Sequence, residues 1–127
     1  MARILVADDD PITLLFMRSL LEDRGHEVLT AEDGVGALEL VRRSKPDLVV
    51  TDLLMPYRNG LEIIREMRRD VELRHIPVML LSMKDKEHDI VVGLEEGADD
   101  YVVKPFHALE LAVRVKKLLE RRAGFIA

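Results

Sequence analysis

No cysteine occurs among the 127 residues, so a disulfide framework and a thiolate metal site are both excluded. No apolar run approaches the roughly 18 residues needed to span a bilayer. The five-residue apolar run after Met1-Ala2-Arg3 is too short for a secretory signal. No membrane association is expected, and a cytoplasmic protein is the simplest reading. Cations are not in excess either. Lys and Arg number 19 against 24 Asp and Glu, for a net charge of −5. That balance argues against direct nucleic-acid binding, which requires clustered positive charge against phosphates. The dense basic groups, Arg65-Arg68-Arg69 and Lys116-Lys117 with Arg121-Arg122, fall on predicted helices with acidic neighbours and read as solvated faces. His26, His75, His88 and His107 show no metal-ligand spacing and read as surface residues. No Gly-x-Gly-x-x-Gly follows the first strand, which removes the dinucleotide-binding fingerprint.

What remains is a chain that is 48% hydrophobic and 34% charged, long enough to bury the core of one domain. Short apolar runs alternate with helical patterns, the rhythm of βαβ units around a parallel sheet. Strands are predicted at Arg3 to Ala7, Glu27 to Ala31, Leu48 to Asp52, Ile76 to Leu81 and Asp100 to Val103. Asp10-Pro11 is an N-cap followed by proline at the first helical position. Ile12, Leu15, Phe16, Ser19 and Leu20 then line one helical face, and Gly25 ends the helix. Further helices are expected over Gly34 to Ser44 with Ala37, Leu38 and Val41 inward, Leu61 to Asp70, Lys86 to Glu96, and His107 to Arg122. The second strand ends in Ala31 and Glu32, without evident chemistry, as an edge position allows.

The other four strands each end in a chemically useful residue. The first runs into Asp8-Asp9-Asp10, the third into Asp52, the fourth into Ser82 and the fifth into Lys104. In open α/β sheets ligands bind at the carboxyl edge of the strands. Asp8, Asp9 and Asp52 on neighbouring strands would repel one another, and a hard divalent cation such as Mg²⁺ resolves the conflict. One aspartate suffices to cap the first helix, so Asp10 is assigned to the cap and Asp8 and Asp9 to the metal. Asp52 either binds metal only or also acts as a nucleophile that becomes an acyl phosphate. Lys104 supplies a point charge for phosphate oxygens and Ser82 a hydroxyl donor. The Lys104-Pro105 bond can be cis, which would aim the lysine inward.

From about Arg3 to Arg122 the chain resembles the receiver domain of two-component response regulators. The matching pieces are Ile4-Leu-Val-Ala-Asp-Asp-Asp-Pro11, Asp52-Leu-Leu-Met-Pro56 with Asn59-Gly60, Pro77-Val-Met-Leu-Leu-Ser82, and Gly97-Ala-Asp-Asp-Tyr-Val-Val-Lys-Pro-Phe106. The resemblance implies a flavodoxin-like, doubly wound α/β fold with a five-stranded parallel sheet of order 2-1-3-4-5 and five helices. Residues 1–122 would form this domain, and residues 123–127 a tail or the start of a linker. It also implies that a histidine kinase or phosphotransfer protein donates a phosphoryl group to Asp52. Mg²⁺ would be held by Asp9, by Asp8 through water, by Asp52 and by the backbone carbonyl of Leu54. Ser82 and Lys104 would grip the phosphoryl oxygens, with a cis bond at Lys104-Pro105. Ser82 would then move toward the phosphoryl group and Tyr101 turn inward, altering the face made by helix four, strand five and helix five. Phe106 reads as core packing.

The sequence departs from the family at Met83, where alanine or glycine is usual. Met83 is expected to border the entry and to slow both phosphoryl uptake and its loss to water. Glu95 with Lys116, and Asp100 with Arg114, resemble cross-subunit ion pairs of winged-helix regulators that dimerise through that face. Glu110 stands where a third acid would, but Ile90 replaces its cationic partner, so such a homodimer is expected to be weakened. Among rival readings, a haloacid-dehalogenase-like phosphatase needs a second Asp two residues after the nucleophile, where this chain has Leu54. No enzyme with sustained turnover is expected, only weak self-phosphorylation and self-dephosphorylation. A receiver-like interaction module that takes no phosphate is the second rival, and every acceptor-site residue is present to oppose it.

Overall fold

The computed structural model describes residues 1–83 and 86–126, with side chains as far as residue 121. Five β-branched and leucine-rich runs form the strands β1 (Arg3–Ala7), β2 (Glu27–Ala31), β3 (Leu48–Asp52), β4 (Val78–Met83) and β5 (Asp100–Lys104). All neighbouring strands pair in parallel, in the order β2-β1-β3-β4-β5. The flavodoxin-like topology expected from the resemblance is therefore present, with β2 at one edge. Five helices connect the strands: α1 (Pro11–Glu22), α2 (Gly34–Ser44), α3 (Gly60–Arg69), α4 (Glu87–Glu96) and α5 (Ala108–Ile126).

The strands are apolar throughout because both faces of the sheet are covered. Successive residues point to opposite faces. Ile4, Val6, Leu48, Val50, Met79, Leu81 and Val102 meet α1 and α5 on one side. Leu5, Ala7, Val49, Val78 and Leu80 meet α2 and α3 on the other, with Ala37, Leu38 and Val41 inward as expected. Asp10 caps α1, its carboxylate accepting from Ile12 N at 3.1 Å and Thr13 Oγ1 at 2.7 Å. Those bonds lower the Asp10 pKa, led by the one from Thr13. Asn59 and Glu62 form a reciprocal capping box at the start of α3.

Four details differ from the sequence reading. The face of α1 turned to the sheet is Leu14, Met17 and Leu21, while Ile12 and Leu15 are 77% and 68% exposed. Apolar side chains surround this helix almost completely, so periodicity alone leaves its rotation open. Phe16 lies on the rim, its ring centroid 6.0 Å from that of Phe106, which is partly buried against the core as expected. β4 begins two residues later than predicted and runs through Ser82 to Met83, because Asp99 and Lys104 of the β5 segment continue to pair with it. α5 extends to Ile126, so residues 123–126 continue the helix rather than leaving it, while Ala127 lies outside the described residues. His26 is half-buried, unlike the other three histidines: its Nδ1 accepts from Ala2 N at 3.1 Å, and burial lowers its pKa.

At the edge of the sheet opposite the site, Arg68 of α3 ties three segments together. Its guanidinium donates to the carbonyls of Gly97, Arg74 and Ile76 at 2.8 to 3.1 Å and pairs with Asp99 at 3.0 Å. Removing it leaves several partly buried acceptors without a donor. Arg68→Ala is expected to destabilise the fold by about 1–2 kcal/mol in urea unfolding. A midpoint equal to that of the parent protein would show that water replaces the guanidinium without cost.

Candidate functional site

Matched register brings the candidate residues of four strands to one edge. Ala7 stands opposite Thr51, so Asp8, one residue on, comes beside Asp52. Asp52 pairs with Leu81, and Lys104 with Met83. Alternation then decides which side chains converge. Asp8 follows Ile4 and Val6, Asp52 follows Leu48 and Val50, and Lys104 follows Val102, all on the sheet face that meets α1 and α5. The charged cluster is thus the upward continuation of three apolar columns.

Lys104 lies between the two buried acids. Its Nζ is 2.6 Å from Asp8 Oδ2 and 3.2 Å from Asp52 Oδ2. The Lys104-Pro105 peptide is cis, as expected. Asp8 is fully buried and also accepts from Asp10 N at 2.9 Å. Asp52 is nearly buried, and its Oδ1 accepts a long bond from Leu54 N at 3.4 Å. Burial, then the charge of Asp8, raises the Asp52 pKa, with Lys104 opposing both. For Lys104 burial pulls downward, but hydrogen bonds and charge from Asp8 and Asp52 outweigh it and raise the pKa. Asp9 is exposed at the mouth. Ligand oxygens of Asp8, Asp9 and Asp52 all lie within 4.8 Å of one another. Three carboxylates and one ammonium leave a formal charge of −2. This all-oxygen donor set fits a hard divalent cation such as Mg²⁺.

Ser82 is buried but belongs to the opposite alternation, after Val78 and Leu80, and its hydroxyl donates to the Met83 carbonyl at 3.2 Å. It makes no bond to Asp52 or Lys104. Tyr101 pairs with Leu80 in register, shares that face with Ser82, and is 37% exposed. Met83 follows Met79 and Leu81 on the Asp52 side, pairs with Lys104, and is 52% exposed at the rim.

The other sequence candidates are not all gathered in one place. Arg114 is held within the chain by Asp100 at 3.0 Å and Glu110 at 3.4 Å. Lys116 lies about 160° around α5 from Arg114, at roughly 100° per residue. It lines a pocket with Leu21, His26 and Val115 on the α1 side. Ile90 is buried and packs inward, and Glu95 is exposed on α4. The contact of Gly34 in α2 with the loop after Asp52 escaped the sequence reading. Its only signal was a glycine directly after the cap Asp33, where a larger residue would serve the helix better.

A carboxyl whose folded-state pKa is raised takes up a proton on folding. It therefore favours the fold at low pH and turns against it as pH rises through the folded-state value. In metal-free buffer at neutral pH, Asp52→Asn is expected to raise Tm by about 3–5 °C, corresponding to about 1 kcal/mol. The gain should vanish as pH falls below the ordinary aspartate range, where Asp52 is protonated in both states. A lower Tm for Asp52→Asn at neutral pH would contradict the assignment.

Comparison with known proteins agrees with this geometry. Residues 4–116 match the family model of the response regulator receiver domain. The alkaline phosphatase synthesis transcriptional regulatory protein PhoP of Bacillus subtilis is 41% identical over 119 residues, covering 94% of this chain and 49% of that protein. Protein PilH of Pseudomonas aeruginosa is 44% identical over 105 residues, covering 83% and 87%. The DNA-binding response regulator MtrA of Mycolicibacterium smegmatis is 43% identical over 119 residues, covering 94% and 51%. The chain thus spans about half the length of PhoP and of MtrA, and most of PilH. A receiver domain protein from Clostridium thermocellum superposes with a TM-score of 0.92 at 31% identity, covering 98% and 99%. Among the described residues no helix is long and apolar enough to cross a membrane. With the family model covering most of its length and the same sheet order and acidic edge in place, this chain belongs to the response regulator receiver domains.

Proposed function

We propose that the domain is a phosphorylation-activated switch in which Asp52 accepts a phosphoryl group from the phosphohistidine of a kinase or phosphotransfer protein, with Mg²⁺ as cofactor. The observation that carries this reading is the shared lysine: a cation held between two buried acids, beside a third, at the open edge of the sheet. Asp52 is the acceptor because its carboxylate sits centrally with one oxygen bound only weakly, whereas Asp8 is buried and already tied to Asp10 and Lys104. In the transfer, a carboxylate oxygen of Asp52 forms the new P–O bond while the P–N bond to the donor imidazole breaks. The imidazole leaves with the electron pair and is protonated. Bound Mg²⁺ would neutralise charge developing on the phosphoryl oxygens. Asp8, Asp9, Asp52 and the Leu54 carbonyl would hold it, and the Lys104 ammonium would turn from Asp52 to a phosphoryl oxygen.

The signal leaves through Ser82 and Tyr101. A phosphoryl group adds negative charge and strong acceptors at Asp52. The Ser82 hydroxyl, now spent on a neighbouring carbonyl, is free to donate to them instead. Tyr101 stands on the same sheet face, next to Leu80, and its inward turn would reshape the surface of α4, β5 and α5. Val91, Leu94 and Tyr101 are exposed there for a partner or for a second copy. A homodimer through this face would require Arg114 to exchange an internal acid for one across the interface. Glu95 and Lys116 would contribute little as exposed charges. The exposed apolar side chains of α1, Ile12, Leu15 and Phe16, flank the side from which a donor must approach. Residues 1–122 would act as the receiver unit, in the cytoplasm where kinase domains meet it, without contacting nucleic acid itself.

Incubation with acetyl phosphate and Mg²⁺ should add one phosphoryl group by intact mass, and Asp52→Asn or chelation of the metal should abolish it. A protein that stays unmodified, and whose Asp52 also fails to engage beryllofluoride, would instead be a phosphate-independent interaction module. Met83 overhangs the Asp52 side of the rim, so Met83→Ala is expected to speed both phosphorylation and hydrolysis of the acyl phosphate several-fold. Unchanged rates would remove Met83 from the entry path.

A further inference from the structure

We propose that Gly34, in the first turn of α2, is a positioning residue for the phosphoryl site, acting through the loop that joins β3 to α3. The inference rests on the reading of Asp52 and the Leu54 carbonyl as metal ligands, and it concerns what holds them in place.

That loop, residues 53–59, is clamped from two sides. On the α3 side a Cβ at Gly60 would lie 2.7 Å from the Asp52 carbonyl oxygen, so only glycine lets the helix begin directly against the acceptor strand. Gly60 N also donates to the Leu53 carbonyl at 2.9 Å. On the α2 side the approach is closer still. A Cβ at Gly34 would stand 1.9 Å from the Arg58 carbonyl oxygen and 2.4 Å from Arg58 Cβ. Gly34 N points to the Pro56 carbonyl at 3.4 Å, and Arg58 N donates to the same oxygen at 2.8 Å. Tyr57 between them is held at φ +70°, a conformation that L-residues seldom adopt. The loop is therefore pressed into one shape.

Gly34 is not needed for its own backbone, which is not left-handed and begins an ordinary helix turn. It is needed for the space it leaves. Contacts of a real Cβ essentially never fall below 3.0 Å, so any side chain at this position must drive the two backbones apart by about 1 Å. α2 resists the displacement. Asp33 caps it, accepting from Gly36 N at 2.7 Å, and Ala37, Leu38 and Val41 fix it in the core. The loop has less to hold it. Leu53 and Met55 anchor its start in the core and Asn59 caps α3 at its end, but the stretch between, Pro56 to Arg58, has beyond its backbone contacts the ion pair of Arg58 with Glu66 at 3.0 Å, and Glu66 in turn pairs with Arg42 of α2 at 3.0 Å. These charges are partly exposed and contribute little each. The loop therefore yields, and the Leu54 carbonyl moves with it relative to Asp8 and Asp9, which ride on β1. Mg²⁺ tolerates little of this, because it demands near-ideal octahedral geometry with ligands at about 2.0–2.1 Å.

The test is Mg²⁺ binding to the unphosphorylated protein, followed by amide chemical shifts or calorimetry. Gly34→Ala is expected to weaken Mg²⁺ affinity by about 10-fold, the scale seen when groups that orient metal ligands are altered. The Mg²⁺ concentration for half-maximal labelling by acetyl phosphate should rise by the same factor, while the rate at saturating Mg²⁺ stays near that of the parent. Arg58→Gly approaches the clamp from the other side without crowding it: it removes the Cβ and the ion pair and frees the loop. It too should weaken Mg²⁺ binding, and it decides the matter if Gly34→Ala does not fold. Gly36→Ala, whose Cβ would meet only Asp33 Oδ1 at an unstrained 3.4 Å, should bind Mg²⁺ as the parent does. Unchanged affinity in Gly34→Ala and Arg58→Gly overturns the role of the clamp while leaving the site reading intact. A parent protein that binds no Mg²⁺ overturns both.

Discussion

A single ammonium group placed between two buried carboxylates is the constraint on which the carboxyl edge of this domain depends. Asp8 has no solvent exposure and Asp52 very little, so neither could keep its charge there without a partner. Lys104 supplies that partner, reaching from the last residue of β5 across β4 and β3 to β1. One cation faces three acids, and burial, then the charge of Asp8, keeps the Asp52 pKa raised against the pull of Lys104. The fold tolerates this residue of repulsion at a functional edge. It is also what would make the edge attractive to a divalent cation and, with the cation in place, to a phosphoryl group.

The scaffold reaches this arrangement by the simplest device a parallel sheet offers. Because side chains alternate with period two, a strand that is apolar on both faces needs only one polar residue at its end to extend a column of the core into chemistry. Asp8, Asp52 and Lys104 end three columns on one face, and Ser82 ends a column on the other. Such a division would separate the roles of the proposed switch. Charge that would meet a phosphoryl group is gathered on the α1 and α5 side, and the hydroxyl that would report its arrival lies toward the side of Leu80 and Tyr101. The residues that would carry the signal outward thus lie on the opposite sheet face from the buried ion pairs.

Much of this was legible in the sequence, for identifiable reasons. Strands buried on both faces announce themselves as short apolar runs, and a polar residue at or next to the end of such a run has no packing reason to be there, so Asp8, Asp52, Ser82 and Lys104 could be selected as candidates without coordinates. The cap at Asp10 was legible because local hydrogen bonding depends on residues one to three positions away. What escaped depended on distance in the chain. The rotation of α1 was hidden because Ile12, Leu14, Leu15, Phe16 and Met17 offer more than one apolar stripe, and only packing on Ile4, Val6 and Val28 chooses among them. The side of α5 on which Lys116 falls needed the real contacts of that helix. The closeness of Gly34 to Arg58 joins residues 24 positions apart and leaves no local trace beyond a glycine in a helix.

The most direct test of the central claim is a crystal structure of the protein grown with Mg²⁺ and beryllofluoride. The beryllium centre is expected on an Asp52 carboxylate oxygen, with Lys104 Nζ withdrawn from Asp52 onto a fluorine. A metal ion is expected among Asp8, Asp9, Asp52 and the Leu54 carbonyl, with Ser82 Oγ turned toward the complex. A structure in which Lys104 keeps both carboxylates and no density appears at Asp52 would contradict that claim, and would make the lysine a structural clamp rather than a phosphoryl ligand.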